Sequence, residues 1–139
     1  MSKEKLSCVN DRVFLKSWVE KIKINNNHFN NLIKKKIKKG FSVIGYGAPT
    51  KATLLLHTAN LGPDEISFIV EDNALKIDKY LPNGVIIKSF KELKKIKGKI
   101  LIVILAWNFH EDIINKLKLE KIKCEILVPV PRVKLKKIC

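Results

Sequence analysis

An uninterrupted apolar run from Ile100 to Trp107 constrains the fold of this chain more than any other feature. Its eight residues fall far short of the roughly 20 that a membrane-spanning helix requires. Apolar side chains on both faces of a strand indicate a parallel sheet with helices on both sides. Further apolar strands are predicted at 41–46, 66–70, 85–87 and 123–128, with helical or turn sequence between them. The pattern predicts a small, doubly wound, Rossmann-like α/β domain with a mainly parallel sheet.

The segment before the first strand predicts one long helix over residues 11–39. The apolar residues that recur there at helical spacing are Val19, Ile22, Phe29, Ile33 and Ile37. Lysines crowd the last turns before Gly40. Cations stabilise the negative end of the helix dipole and Gly suits the position after a helix, so the helix is expected to end here.

The length of 139 residues suits one domain with one core. We expect a single domain over residues 1–139, with the leading helix at 11–39, a Rossmann-like part at 41–131 and a solvated basic tail at 132–139. Two later helices are expected to begin at polar caps. Ser89 and Glu92 have capping-box spacing, and Asn108 precedes a helix over 109–121.

The net charge of +15 is carried mainly by Lys, which makes up 26 of the 28 basic residues. The chain also has 19 Ile and 11 Asn. All three residue types have A/T-rich codons, so genome composition explains much of the excess. A nucleic-acid-binding protein is expected to use Arg to contact guanine edges and phosphates. We therefore expect no nucleic-acid partner, although a preference for anionic ligands such as phosphates remains.

The cysteines and histidines are scattered. Cys8, Cys124 and Cys139 have no metal-ligand spacing, so no metal site is expected. The first residues contain no apolar signal-peptide core. Unpaired cysteines without an export signal favour a cytoplasmic location, and the short apolar run gives no reason to expect a membrane.

A glycine-rich turn joins the first strand to the next helix. Its candidate ligand-binding residues are Gly45, Tyr46, Gly47, Ala48, Pro49 and Lys51. The glycines would let the backbone approach a ligand, and N–H groups at the helix start suit a phosphate. Thr50 occupies the third glycine position of the dinucleotide fingerprint, so that motif is incomplete. The alternative is a turn that simply needs small residues.

Further polar candidates follow the second and fourth predicted strands. Glu71 and Asp72 end the second strand, where an acidic residue of a dinucleotide-binding domain binds ribose hydroxyls. The alternative is an acid that caps the next turn. The other candidates, in the loop to Gly84 and after the fourth strand, are Asn73, Lys76, Lys79, Tyr80, Trp107 and Asn108. We expect them at the carboxyl edge of the sheet, where such folds bind ligands.

Together these segments resemble the C-terminal domain of the nucleotide-sugar C-methyltransferases. The matching stretches are Gly45–Lys51, Asp72–Gly84, Ala106–Phe109 and Val128–Pro131. The resemblance implies a domain that binds a nucleotide-linked sugar and covers the active site. It also implies that S-adenosylmethionine and the family's catalytic residues belong to a separate central part. Accordingly, no catalytic residue and no bound cofactor are assigned to this chain.

The resulting hypothesis is a stand-alone or split C-terminal domain of a nucleotide-sugar C-methyltransferase. Its expected partners are a nucleotide-linked sugar and a catalytic methyltransferase chain. Whether the chain is itself an enzyme stays open. The alternative is a non-catalytic, Rossmann-like nucleotide-binding module in polysaccharide biosynthesis.

Overall fold

A computed structural model describes residue 20, residues 23–129 and residues 134–138. Side chains are described for residue 20 and for residues 23–49 and 54–129. The first helix, α1, spans residues 23–38. The elements that follow are β1 (Ser42–Tyr46), α2 (Thr50–Thr58), β2 (Phe68–Val70), β3 (Ile87–Lys88), α3 (Phe90–Lys94), β4 (Ile100–Ile104), α4 (His110–Leu119), β5 (Cys124–Val128) and β6 (Lys134–Ile138).

The strands form one sheet in the order β3-β2-β1-β4-β5-β6. The first five in chain order run parallel, and β1 and β4 pair in register from Ser42 opposite Ile100 to Tyr46 opposite Ile104. This topology confirms the predicted Rossmann-like α/β class. After β1 the chain adds β2 and β3 on one side of that strand. It then crosses back, so that β4 pairs with the other side of β1. The carboxyl ends of β1 and β4 therefore form a topological switch point, where open α/β sheets bind ligands.

Helices cover the sheet on both faces because its central strands are apolar on both faces. On one face, α1 and α2 contribute Phe29, Ile33 and Leu56 to a core with β1 and β4. On the other face, α3 and α4 contribute Leu93 and Leu117. No helix in the described part of the chain is both long and apolar enough to cross a membrane.

The leading helix is confirmed in part, since residues 11–19 and 21–22 of the predicted span lie outside the described residues. Its asparagines attach α1 to the rest of the fold. Asn26 Nδ2 donates to Thr58 Oγ1 at 3.1 Å, and Asn25 Nδ2 donates to the Pro129 carbonyl at 3.0 Å. These bonds cross between distant parts of the sequence, which explains polar residues on the inner side of the helix.

One lysine near the end of α1 has a role that the helix-dipole argument does not predict. Lys36 Nζ donates to both carboxylate oxygens of Glu125, at 2.8 and 3.0 Å, and the pair is buried. The same ammonium lies 4.7 Å from the centre of the Phe41 ring. This ion pair fixes α1 against the amino half of β5.

Three local predictions differ from the structure. Residues 134–138, expected within a solvated tail, form β6, which pairs antiparallel with β5. Ser89 is the N-cap of α3 but makes no side-chain cap bond, so the predicted capping box is not formed. Phe109, not Asn108, is the N-cap of α4, because a short 3₁₀ turn over residues 107–109 precedes the helix.

Candidate functional site

A cleft of about 380 Å³ opens at the carboxyl ends of β1, β2 and β4. The described residues that line it are Tyr46, Gly47, Ala48, Pro49, Glu71, Asp72, Lys76, Ala106, Phe109, Asp112, Ile113 and Lys116. The topology places this cleft at the switch point. A volume of this size suits a small organic ligand.

The turn after β1 is shaped by packing at Gly47. Gly47 has a φ of +91°, a conformation that other residues rarely adopt, and a Cβ added there would lie 2.5 Å from the Ala106 Cβ. Its N–H donates to the Val70 carbonyl at 2.8 Å. The approach of two strand ends therefore requires a glycine at this position, which supports the alternative of a turn that needs small residues.

The Glu71 carboxylate occupies the N–H groups around this turn. Its Oε2 accepts from the Ala48 N–H at 2.9 Å, and its Oε1 accepts from the N–H groups of Asp72 and Asn73 at 3.1 and 3.2 Å. These bonds support the turn-capping alternative for the acid at the end of β2. An anionic ligand at the Ala48 N–H would meet a negative charge that is already there.

A second set of polar side chains extends across the cleft from β1 to α4. Lys116 Nζ donates to Asp72 Oδ1 at 2.7 Å, and the Tyr46 hydroxyl donates to Asp72 Oδ2 at 3.3 Å. The Phe90 ring lies beneath them, with its centre 4.6 Å from Lys116 Nζ and 6.2 Å from the centre of the Tyr46 ring. The arrangement provides a hydroxyl, a carboxylate and an ammonium within one small area.

These neighbours shift the proton affinities of the group. Burial raises the pKa of the Tyr46 phenol above its usual value of 10.0, and the Asp72 carboxylate raises it further. For Lys116, burial acts to lower the pKa, but the hydrogen bond to Asp72 and the charges nearby outweigh it, so the pKa is raised. At neutral pH the phenol is a hydrogen-bond donor and the amine is charged.

The loop after β2 closes another side of the cleft. The Asn73 side chain accepts from the Leu75 N–H at 3.0 Å and so caps a 3₁₀ turn that carries Lys76. Lys76 Nζ donates to the Ala48 carbonyl at 3.1 Å. An outer hollow of about 760 Å³ lies beyond this contact. Its described lining consists of Ala48, Pro49, Leu54, His57, Lys76, Pro82 and Asn83.

Seven of the candidates named from the sequence line the cleft, namely Tyr46, Gly47, Ala48, Pro49, Glu71, Asp72 and Lys76. Gly45 lies inside the sheet, where a Cβ would lie 2.9 Å from side-chain atoms of both Ile69 and Leu105. The side chain of Lys51 lies outside the described set.

The remaining predicted residues are not among the described lining of the cleft. Lys79 and Asn108 are exposed, and Asn73 caps the 3₁₀ turn. Tyr80 is 66% exposed and its backbone bridges to Ile86. Trp107 packs against the core on the side of α3 and α4.

Sequence reasoning missed the contribution of α4. Phe109, Asp112, Ile113 and Lys116 all line the cleft. Their spacing of i, i+3, i+4 and i+7 is that of one helix face. Because α4 starts at the carboxyl end of β4, this face has to border the ligand edge of the sheet, and the stripe is the signal that could have identified it.

Comparisons with known proteins match most of the chain. The family described as C-methyltransferase C-terminal domain matches residues 1–131. The C-methyltransferase NovU of Streptomyces niveus is 34% identical over 101 residues. That alignment covers 72% of this chain and 24% of NovU, so the chain corresponds to a minor part of this curated relative's length.

Proposed function

The chain belongs to the family of C-methyltransferase C-terminal domains, and from this premise we propose that its cleft binds a nucleotide-linked sugar. In this proposal the bound sugar is presented to a catalytic methyltransferase part, whose active site the domain completes. In this proposal the methyl transfer that the domain supports is a step of deoxysugar biosynthesis in the cytoplasm.

The observation that carries the proposal is the polar cleft at the topological switch point. Sugar hydroxyls both donate and accept hydrogen bonds. The Asp72 carboxylate can accept from them, and the Lys116 ammonium and the Tyr46 hydroxyl can donate to them. Ile113 and Phe109 supply apolar surface beside these groups. Such a mixture of apolar walls and few polar groups is typical of small-molecule sites.

S-adenosylmethionine, the methyl donor that the family implies, does not fit the residues of this turn. A cofactor bound in the Rossmann manner needs close approach at the glycines and a free acid at the end of β2. Here Gly47 faces Ala106, and the Glu71 carboxylate already accepts three backbone N–H groups. We therefore assign the methyl donor to the catalytic part, and no chemical step to this chain.

Chemical-shift mapping with nucleotide-linked sugars tests the binding proposal. The largest shifts are expected at residues 46–49, 71–76 and 106–116. Lys116→Met should weaken binding, whereas Lys118→Met, which removes the same charge from an exposed position on α4, should not. Shifts centred on the lysines at residues 34–39 would instead indicate attraction of any polyanion.

Methyl transfer from labelled S-adenosylmethionine separates the two functions considered. The 139-residue chain alone is expected to produce no methylated sugar, and turnover by the pure chain would contradict the proposal. Addition of a catalytic methyltransferase part lacking its own C-terminal domain should give turnover that depends on this chain. Sugar binding without any such dependence would favour the nucleotide-binding module.

A further inference from the structure

The two hollows at the carboxyl edge have different linings. The inner cleft carries hydroxyl, carboxylate and ammonium groups from Tyr46, Asp72 and Lys116. The outer hollow is lined mainly by apolar surface from Pro49, Leu54 and Pro82, beside His57. A nucleotide-linked sugar has the same division, since its sugar is rich in hydroxyls and its base is a flat ring with hydrophobic faces.

Lys76 lies at the border of the two hollows. It belongs to both linings, as do Ala48 and Pro49. A lysine ammonium has three donors, and the hydrogen bond to the Ala48 carbonyl uses one of them. The group joining a sugar to a nucleoside in such a ligand is a diphosphate, for which an ammonium is a suitable partner.

The strand-to-helix turn, in contrast, is unsuited to the diphosphate. The Ala48 N–H already donates to the Glu71 carboxylate at 2.9 Å. A phosphate at this place would have to replace a carboxylate that is also held by the N–H groups of Asp72 and Asn73. Like charges brought this close repel each other in a partly buried site.

On the premise of the proposed function, we propose that Lys76 binds the diphosphate at the border of the two hollows. The sugar then lies in the inner cleft and the nucleoside in the outer hollow. Glu71 takes the place at the turn that a phosphate occupies in dinucleotide-binding folds. The site therefore departs from the usual Rossmann arrangement, in which the turn itself holds the phosphates.

Calorimetry on the 139-residue chain tests the role of Lys76. The probes are uridine-diphosphate and thymidine-diphosphate glucose, the two nucleoside diphosphates, and the two nucleosides. Lys76→Met should weaken binding of the diphosphate-containing probes roughly tenfold or more, as expected for loss of a charged hydrogen bond. Binding of the nucleosides should change little. Lys91→Met, which removes one exposed charge on α3, is the matched control and should leave all affinities near those of the parent chain.

Glu71→Gln tests the turn. If the diphosphate lay at the Ala48 N–H, removing the negative charge of Glu71 would strengthen binding of the diphosphates by tenfold or more. The proposal expects a change of less than about threefold, because the phosphates are elsewhere. Thermal unfolding of each variant shows whether it is folded. Equal affinities for Lys76→Met and Lys91→Met would overturn the proposal.

Chemical-shift differences between probes test the orientation. Nucleoside diphosphates should shift resonances of Leu54 and His57, and adding the glucose should extend the shifts to Asp112 and Lys116. The reverse order would overturn the orientation. If no nucleotide or nucleotide-linked sugar binds at the cleft, the proposed function fails and this inference fails with it. Binding that is independent of Lys76 removes this inference alone.

Discussion

Two lysine–carboxylate pairs join helices to opposite ends of the sheet, and they differ in their access to water. Lys36 and Glu125 lie 2.8 Å apart at the amino half of β5, with side chains 11% and 9% exposed. Lys116 and Asp72 lie 2.7 Å apart at the carboxyl edge, with side chains 39% and 57% exposed. The distances are nearly equal, so distance does not distinguish the two pairs.

Burial gives the two pairs different consequences. A buried pair is held because either charge alone would be left without water or a partner. An exposed pair can exchange its partner for water or for a ligand at small cost. We infer that the buried pair holds α1 in place at the amino end of the sheet, while the pair at the carboxyl end leaves its polar groups accessible to water.

The largest expected effect is therefore at Lys36. Lys36→Met leaves Glu125 buried without its partner, and such a loss costs about 3–5 kcal/mol of unfolding free energy. Urea unfolding of the variant and the parent chain measures this loss of unfolding free energy. Lys35→Met, at an exposed position on the same helix, should cost less than about 1 kcal/mol. Equal costs for the two variants would show that the loss of Lys36 does not leave Glu125 as a costly unpaired charge.

A double variant sharpens this prediction. Lys36→Met with Glu125→Leu replaces both charges by apolar side chains of similar size, and such replacements are often neutral or stabilising. The double variant should therefore be more stable than Lys36→Met alone. The cost of the double variant can also equal the sum of the costs of Lys36→Met and Glu125→Leu measured singly. In that case the loss at Lys36 comes from its packing against Phe41 and not from the unpaired carboxylate.

The sequence predicted the parallel sheet because continuous apolar strands leave few alternatives. Ile100–Ile104 is buried at every position, and only a sheet covered on both faces accommodates such a strand. The Lys36–Glu125 pair was not predictable in the same way. Its partners are 89 residues apart, and in sequence Lys36 is one of several lysines that the helix dipole already explains.

The site was predictable where local sequence determines it. The turn at Gly47 and the acid at Asp72 follow strands that are themselves easily identified. To predict the role of Lys116 one has to know that α4 lies beside the segment following β2, since 44 residues separate Lys116 from Asp72. To predict the role of Glu71 one has to know which backbone N–H groups near the turn lack a backbone partner. That depends on tertiary geometry.

Glycines at the two ends of the sheet give the next largest effect. Gly47 and Gly98 have φ values of +91° and +92°, but a Cβ at Gly98 would meet nothing within 4 Å, whereas a Cβ at Gly47 would meet Ala106. Gly98→Ala should cost about 1–2 kcal/mol from backbone conformation alone. Gly47→Ala should cost about 2–4 kcal/mol, because steric overlap is added. Urea midpoints would refute this account if the two variants were equally stable.

Removing the exposed pair should cost much less. Lys116→Met is expected to lower the unfolding free energy by about 0.2–1 kcal/mol, the range of partly exposed ion pairs. Raising the salt concentration should reduce the difference from the parent chain, because salt screens exposed charges. Lys118→Met controls for the loss of a charge from α4. A cost for Lys116→Met as large as that for Lys36→Met would remove the contrast between the two ends.

The smallest effect concerns the proton of Tyr46. In a Tyr80→Phe background Tyr46 is the remaining one of two tyrosines, so phenolate absorbance reports its pKa alone. Burial first and Asp72 second raise this pKa above 10.0, whereas Lys116 lowers it. Asp72→Asn should therefore bring the pKa down, and Lys116→Met should raise it further.

Because the folded-state pKa of Tyr46 is raised, the stability that this group contributes is complete below pH 10.0 and is lost as the pH rises through the folded value. Tyr46→Phe should abolish this part of the alkaline loss. Titration of Tyr46 at or below its usual value would mean that the Asp72–Lys116 pair does not hold the phenol in the cleft as described.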